Sequence, residues 1–399
     1  MPRPLTILHV FDFYLPNTMN WAFQLMQHTP GVEQWIAAPW ILDDQFPLSD
    51  ARYLRGGVQK MLGLSPKHEL DFHRISNNLI RLEHRLPIYR HWLASILKNN
   101  PPDIIHAHFG PVACHYLKLA NELNIPMLAS FYGYDFLKVP TRKPNYSKQY
   151  ASLFQSAGKI SSPGPGSAEF LMNAACPEEK IAIIPLGILL KRFPFSPKKK
   201  KPGALKLLQM ATITEKKGYM DTLQAMNLAL KSRSGIELTI VGERQNLELV
   251  RQMEKYIAGN NMKASVNWLN PVSYKDVPSL LAKYDVFIHP SRKSPDGDVE
   301  GAPVCILEAQ ATGLPVISTI HADIPFQVKH NESGLLTKEG NPEALAKSIL
   351  RFYDMSDAEF ASFSQAARHH VEEHYNVKVI GINLLELYKS MLQTSNFSK

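Results

Sequence analysis

Cysteine is scarce in this chain of 399 residues, and its scarcity narrows the class of protein. Cys114, Cys176 and Cys305 are odd in number and widely spaced, which excludes a disulfide framework or a cysteine-rich zinc site and indicates a reducing compartment. No stretch reaches about 18 apolar residues without a charge, so the sequence predicts no transmembrane helix. The apolar run Leu5–Val10 is too short for the core of a signal peptide, and we therefore expect a cytoplasmic protein.

Basic residues outnumber acidic residues only modestly. There are 44 Lys and Arg against 36 Asp and Glu, and 45% of the residues are hydrophobic, which excludes wholesale disorder and a fibrous repeat. Residues 1–195 hold 19 basic against 14 acidic residues, and residues 196–399 hold 25 against 22, so the first half has the larger excess. A net charge of +8 suits an anionic partner, such as a phosphate ligand, a nucleic acid or a membrane surface, without selecting one of them.

Short apolar runs alternate with helical patterns along the chain, as in the run Leu5–Val10 and the amphipathic stretch that follows it. Strands that alternate with helices of about 10–15 residues form mainly parallel sheets. The series is interrupted at 196–202, where two prolines and four lysines indicate a solvated linker, with a polyanion site as the alternative. The sequence therefore predicts two doubly wound α/β domains, 1–195 and 196–376, with a last helix at 377–399 that rejoins the first.

The segment 290–325 holds the most informative side chains. It follows the apolar run Val286–His289, and in an open parallel sheet ligands bind beyond the carboxyl ends of the strands. A helix that opens near Pro303 would offer its free N–H groups and positive dipole end to a phosphate. Glu300 lies in the loop before this helix. Glu308 lies in its second turn among apolar residues, where a carboxylate needs donors such as the two hydroxyls of a ribose.

Two other interpretations of these carboxylates stay open. Asp296, Asp298 and Glu300 match the first half of a calcium-binding EF-hand loop, although the twelfth position is Leu307 and the required glutamate comes one residue late, at Glu308. Glu300 could also be a purely structural residue that caps the helix.

Further motifs precede this pair of glutamates. They are HAHFG at 106–110, SFYGYD at 130–135, PLGI at 185–188 and EKKGY at 215–219, and Glu308 itself is followed by AQATGLPV. In this order the motifs resemble those of the retaining glycosyltransferases of family 4, and more closely the enzymes of that family that build bacterial surface polysaccharides of the colanic-acid type. The similarity extends over nearly the whole chain. It implies the GT-B fold, in which two Rossmann-like doubly wound domains face each other across a cleft.

The resemblance also implies roles for individual residues on the donor side. Lys217 would pair with the pyrophosphate of a nucleotide sugar, and Glu308 would hold the ribose hydroxyls. Glu300 would contact the donor sugar near its anomeric carbon. The backbone around the start of the helix would line the sugar and the phosphates, at Gly301, Ala302, Pro303 and Val304.

Several positions depart from the family pattern, and two of them concern the candidate site. Thr212 stands where an arginine often precedes the lysine, so one phosphate contact is missing or comes from Lys216 or Arg244. Thr212 itself is kept among the candidate donor-binding residues. Tyr132 stands where a histidine often precedes the glycine, and its hydroxyl can still meet a hydroxyl of the sugar.

The histidines of the HAHFG motif leave three interpretations open. His106 and His108 lie two residues apart at the end of a predicted strand and therefore on one face of the sheet. They could be ordinary strand-end residues, an active-site wall or a zinc pair, but zinc needs further ligands that no motif supplies, so we predict no metal. Asp135 could orient an acceptor or cap the next turn. We include His108 and Asp135 among the candidate catalytic residues.

The function that follows from the resemblance is transfer of a sugar, with retention, from a nucleotide sugar to an acceptor hydroxyl. UDP is favoured over GDP, and the expected acceptor is a lipid-linked glycan or an oligosaccharide. We predict no resident cofactor and no nucleic acid. The Arg- and His-rich segment 67–100 could be a solvated outer helix of the first domain or a contact with the acceptor or the membrane. We predict peripheral contact with the anionic inner face of the plasma membrane. The alternatives are a catalytically silent nucleotide-sugar-binding or scaffold protein and a sugar phosphorylase of the same fold.

Overall fold

The computed structural model describes residues 3–14, 19–41, 48, 50–56, 88–199 and 201–396. The chain divides into two compact units. The first extends to Gly187, apart from residues 164–166, and resumes at Val377, whereas the second comprises Ile188–Asn376 and residues 164–166. The division comes earlier than the predicted boundary at 195/196, because Ile188 and Phe193 pack in the core of the second unit.

The first unit contains a sheet of seven described strands, and every pairing between them is parallel. Its strand order is β3-β2-β1-β4-β5-β6-β7. The strands are β1 Leu5–Val10, β2 Val32–Ala37, β3 Arg52–Leu54, β4 Ile104–His108, β5 Met127–Ser130, β6 Lys159–Ser162 and β7 Ile181–Ile183. The accompanying helices are Asn20–Gln27, Ile88–Leu97, Gly110–Glu122, Lys138–Arg142, Asn145–Ser156, Pro165–Asn173 and Val377–Asn396. The predicted doubly wound α/β fold is confirmed here.

The last helix belongs to this first unit through one apolar stripe. Ile380, Leu384 and Tyr388 pack among buried residues of the sheet, including Ile7 and Ile104. Spacings of three and four residues place these side chains on one helix face, as the periodicity of the sequence indicates. None of the described helices combines the length and the apolar character needed to cross a membrane.

The second unit repeats the architecture with six described parallel strands in the order β10-β9-β8-β11-β12-β13. They are β8 Leu205–Met210, β9 Ile236–Val241, β10 Val266–Leu269, β11 Val286–His289, β12 Val316–Thr319 and β13 Gly334–Thr337. Its helices are Tyr219–Leu230, Leu247–Gly259, Val277–Leu281, Val304–Ala311, Ile324–Gln327, Pro342–Asp354 and Asp357–His374. The strand order reverses between β8 and β11, and such a reversal is where open α/β sheets bind ligands.

Three strands that the apolar runs did not predict are β3, β10 and β13. All three lie at an edge of their sheet. In addition, β3 and β10 have exposed positions that interrupt an apolar run. The prediction of a solvated linker at 196–202 is wrong for Lys198, which is buried. Its ammonium group donates to the carbonyls of Leu281 and Ala282 at the end of a short helix. Burial lowers the pKa of Lys198 to about 8.

Candidate active site

Two segments on either side of the strand reversal in the second unit bring opposite charges together. The turn Glu215–Lys217 follows β8, and the loop 290–303 follows β11. The ammonium nitrogen of Lys217 lies 2.5 Å from Oε1 of Glu300. That of Lys216 lies 3.1 Å from Oδ1 of Asp298 and 3.6 Å from Oε1 of Glu300. The structure thus joins residues that the sequence separates by more than 80 positions.

Electrostatics keep Glu300 ionised. Burial by itself would raise the pKa of this carboxyl, but the ammonium groups of Lys216 and Lys217 outweigh burial and hold the pKa well below its usual range. Burial would lower the pKa of Lys216, but the carboxylates of Glu300 and Asp298 raise it. At neutral pH Glu300 is therefore a carboxylate that can accept hydrogen bonds or stabilise positive charge, and it cannot serve as a proton donor.

Gly218 lets the turn Glu215–Lys217 pack closely against the loop 290–303. Gly218 has φ +66°, a left-handed conformation that favours glycine, and a Cβ there would lie 2.0 Å from the carbonyl oxygen of Pro290. Two residues further on, the backbone N–H of Arg292 donates to the carbonyl of Lys216 at 2.9 Å. These contacts fix the distance between the lysines and the loop that carries Glu300.

The helix Val304–Ala311 begins where the loop ends. Gly301, Ala302 and Pro303 are buried at its start, and its first turn contains no acidic side chain. The sequence assigned this backbone to the sugar and phosphates. The loop that carries Glu300 leads directly into this helix N-terminus, whose dipole has the sign that favours an anion.

Glu308 is enclosed within that helix. It is 6% exposed, and burial raises its pKa to about 7, although a hydrogen bond from Tyr274 and the charge of Arg192 oppose the rise. The guanidinium of Arg192 lies 4.0 Å above the ring of Tyr274. A carboxylate in this setting gains from additional hydroxyl donors, which agrees with the predicted contact to a ribose.

We expect a pH-dependent stability change from Glu308→Gln. Because the folded-state pKa of Glu308 lies above its unfolded value, the wild type loses stability as pH rises between about 4.5 and 7. Glutamine cannot ionise, so the variant should match the wild type near pH 5 and exceed it by about 1–3 kcal/mol near pH 8. Urea unfolding at both pH values measures the difference. An equal effect at the two pH values would contradict a raised pKa.

Arg244 and Thr212 are the other two residues considered for contact with a phosphate. The guanidinium of Arg244 pairs with Glu254 at 3.3 Å, lies over the ring of Trp268 and is half exposed. A phosphate would therefore have to compete with these partners. Thr212 is partly buried after β8, and its predicted phosphate contact stays a prediction.

Sequence reasoning missed two histidines of this site. His289 ends β11 and is buried, with its pKa lowered to about 3 by burial and by nearby Lys217. His321 follows β12, and its Nε2 accepts the backbone N–H of Glu300 at 3.0 Å. Both stand at or just beyond the carboxyl end of a strand, and that position was the available signal.

The histidines of the first unit form a cluster beside the other strand reversal, between β1 and β4. Nδ1 of His9 lies 3.0 Å from Nε2 of His108, and Nδ1 of His108 lies 2.8 Å from the hydroxyl of Tyr132. His106 contacts the hydroxyls of Tyr388 and Ser130, both at 2.7 Å. Burial lowers the pKa of all three histidines, so they are neutral.

The motif reasoning left His9 out, although it lies beside His106 in the parallel pairing of β1 with β4. One nitrogen from each of the three histidines lies within 4.8 Å of the others. A metal ion could bind only at the expense of the hydrogen bonds of His108 and His106, because both nitrogens of each ring already have partners. The zinc interpretation therefore gains a third histidine but competes with the hydrogen bonds of His106 and His108.

Asp135 is fully buried and its oxygens bind backbone N–H groups. Oδ1 accepts from Tyr132 and Gly133 at 3.0 and 2.9 Å, and Oδ2 accepts from Gly110 at 3.1 Å. These bonds agree with the interpretation of Asp135 as a capping residue. Direct roles of Asp135 and His108 toward an acceptor stay predictions.

Comparisons with known proteins cover most of the chain. The family described as "Glycosyltransferase Family 4" matches residues 57–192, and the family described as "Glycosyl transferases group 1" matches residues 191–370. The chain is 31% identical to the putative colanic acid biosynthesis glycosyltransferase WcaL of Escherichia coli K12, over 72% of this chain and 71% of the relative. It is 30% identical to the amylovoran biosynthesis glycosyltransferase AmsK of Erwinia amylovora, over 75% and 73%.

Solved structures agree at the level of the fold. A glycosyltransferase from Rickettsia africae superposes with a TM-score of 0.73 and 19% identity, over 98% of this chain and 99% of that one. Anabaena HepE in complex with UDP-glucose superposes with a TM-score of 0.71 and 15% identity, over 97% and 100%.

Proposed function

Because the chain belongs to the glycosyltransferases of family 4 and has their GT-B fold, we propose that it transfers a sugar from a nucleotide sugar to a hydroxyl in bacterial surface polysaccharide biosynthesis. The observation that carries this proposal is the ion cluster of Lys216, Lys217 and Glu300 at a strand reversal, beside a helix N-terminus. The cations and the helix end suit a pyrophosphate, and the carboxylate suits a sugar.

The reaction that this cluster supports breaks the bond between the anomeric carbon and the pyrophosphate oxygen. Lys217 and the helix end stabilise the negative charge on the departing nucleoside diphosphate, while ionised Glu300 stabilises positive charge on the sugar ring. The acceptor oxygen then bonds to the same face of the anomeric carbon, which retains its configuration. The hydroxyl proton leaves with the nucleoside diphosphate, so charge and atoms balance without a covalent enzyme intermediate.

A uridine nucleotide is the donor we favour. The support is that one structural neighbour of this chain was solved in complex with UDP-glucose. In thermal unfolding, UDP-sugars should raise the unfolding temperature more than GDP- or ADP-sugars do. NMR of the product should then show the anomeric configuration of the donor.

Three outcomes of that assay would contradict the proposal. Inversion at the anomeric carbon would exclude retention. A requirement for inorganic phosphate as acceptor would indicate a phosphorylase. Binding of nucleotide sugars without release of nucleoside diphosphate, with or without lipid-linked or oligosaccharide acceptors, would indicate a silent binding protein.

The acceptor that we propose is a lipid-linked glycan or an oligosaccharide, because relatives are named for colanic acid and amylovoran biosynthesis. We propose that the enzyme works in the cytoplasm, at the inner face of the membrane. Most of the basic segment assigned to membrane contact, 67–87, lies outside the described residues. In the described helix Ile88–Leu97, Arg90 donates to the carbonyl of His115, which reduces its availability to lipid.

We expect weak binding to anionic vesicles that salt abolishes, since each basic residue near such a surface contributes about 1 kcal/mol. Sedimentation should show loss of binding when Arg74, Arg81 and Arg85 are replaced with Ser, and a smaller loss for Arg90→Ser alone. Equal pelleting with neutral vesicles would remove the segment as the membrane contact.

A further inference from the structure

A hydrogen-bond chain connects two positions of the loop that carries Glu300. It is buried at Glu300 and exposed at Lys293. The backbone N–H of Glu300 donates to Nε2 of His321 at 3.0 Å, and Nδ1 of His321 lies 2.6 Å from Oε1 of Glu339. The other oxygen of Glu339 accepts the backbone N–H of Lys293 at 2.9 Å. One histidine–carboxylate pair, from segments that follow β12 and β13, therefore holds the loop at Lys293 and at Glu300.

These contacts determine the protonation of His321. A backbone N–H can only donate, so Nε2 of His321 must be the acceptor and carries no proton. The imidazole proton therefore lies on Nδ1 and is donated to Glu339. A carboxylate that fixes the tautomer and the ring orientation of a histidine is a common arrangement where geometry matters.

Glu339 is suited to accept the hydrogen bonds from His321 and Lys293. Burial would raise the pKa of Glu339, but hydrogen bonds from His321 and from the backbone of Lys293 hold it below the usual range. The group is an acceptor for both bonds at neutral pH. His321 is nearly inaccessible, with a side chain only 3% exposed, so water cannot easily replace its bond to Glu300.

We propose that His321, oriented by Glu339, is a positioning residue that sets the place of Glu300 relative to Lys217. The inference rests on the proposed function, in which Glu300 faces the donor sugar. No side-chain atom of Glu300 takes part in the bond to His321, since the donor is its backbone. His321 thus acts on the carboxylate through the backbone, and a displacement of about 1 Å at a reacting group can lower the rate about 100-fold.

The test compares His321→Leu with His321→Gln. Leucine removes the acceptor, so we expect kcat to fall about 10- to 100-fold while the dissociation constant for UDP changes less than about threefold. The side-chain oxygen of glutamine can accept near the former Nε2 position, so His321→Gln should recover most of kcat. His370→Leu is the matched control, because His370 is buried in the same unit but bonds to the carbonyl of Phe326.

Hydrogen–deuterium exchange provides a measurement that is independent of turnover. The peptide covering 293–303 should exchange faster in His321→Leu than in the wild type, and unchanged in His370→Leu. Glu339→Gln keeps an acceptor for only one of the two bonds, so it should give an intermediate rate and serves if His321→Leu fails to fold.

The two ideas fail in different ways. If wild-type protein turns over no nucleotide sugar, the proposed function is wrong, while exchange still decides whether His321 holds the loop. If His321→Leu keeps kcat within about twofold, or if Leu and Gln lower it equally with unchanged exchange, His321 does not position Glu300.

Discussion

Glu300→Gln should lower kcat about 100- to 1000-fold, the range for removing one preorganised electrostatic contact from a transition state. The affinity for UDP should stay the same or increase. Lys216 and Lys217 hold the carboxylate ionised, and it lies within 4 Å of both ammonium groups. Glutamine removes the anion that competes with a pyrophosphate for these cations, but it also removes the charge that stabilises the sugar.

Turnover and calorimetric titration with UDP separate these two effects. Asp298→Asn is the matched control, because Asp298 contacts Lys216 at 3.1 Å but lies in the loop before the residue assigned to the sugar. Asp298→Asn should also increase the affinity for UDP, but it should lower kcat less than Glu300→Gln does. Near wild-type turnover in Glu300→Gln would remove Glu300 from the donor-sugar contact, and a large loss of UDP binding would place it on the nucleotide.

Lys217→Ala should weaken UDP binding by about 1.5–3 kcal/mol, the contribution of a hydrogen bond to a charged group, which is about a 10- to 150-fold change in the dissociation constant. Lys216→Ala should have a smaller effect, because its ammonium group is shared between Asp298, Glu300 and the carbonyl of Val299. Arg244→Ala should have the smallest, because Arg244 is half exposed and pairs with Glu254.

The order of the three alanine variants is the informative result. Titration of each variant with UDP, and with uridine as a control that lacks phosphate, assigns the loss to the pyrophosphate. A larger effect of Arg244→Ala than of Lys217→Ala would mean that Arg244 supplies the primary phosphate contact.

The proximity of Lys217 and Glu300 could be predicted from the sequence because each follows an apolar strand. Parallel strands bring their carboxyl ends to one edge of the sheet, so motifs far apart in the chain meet there. The interior strands β1 and β11 were predictable for the same reason, since burial on both faces favours a nearly continuous apolar run.

The contacts of His321, Glu339 and His9 could not be predicted. Each is a single polar residue in a segment without a recognisable motif, and its partner is set by strand register and loop geometry rather than by local sequence. Lys198 shows the same limit, since a run of lysines indicates solvent although one of its members binds two helix carbonyls. Long-range pairing of polar groups has no periodic signature.

The contact between Gly218 and the carbonyl of Pro290 has a consequence for engineering. The backbone of the turn after β8 packs directly against the backbone of the loop after β11, without room for a side chain between them. A loop taken from another enzyme to change sugar specificity would have to present its backbone to Gly218 in the same way, or else displace the lysines as well. The smallest exchangeable module is therefore the turn and the loop together, discontinuous in sequence but a single piece in space.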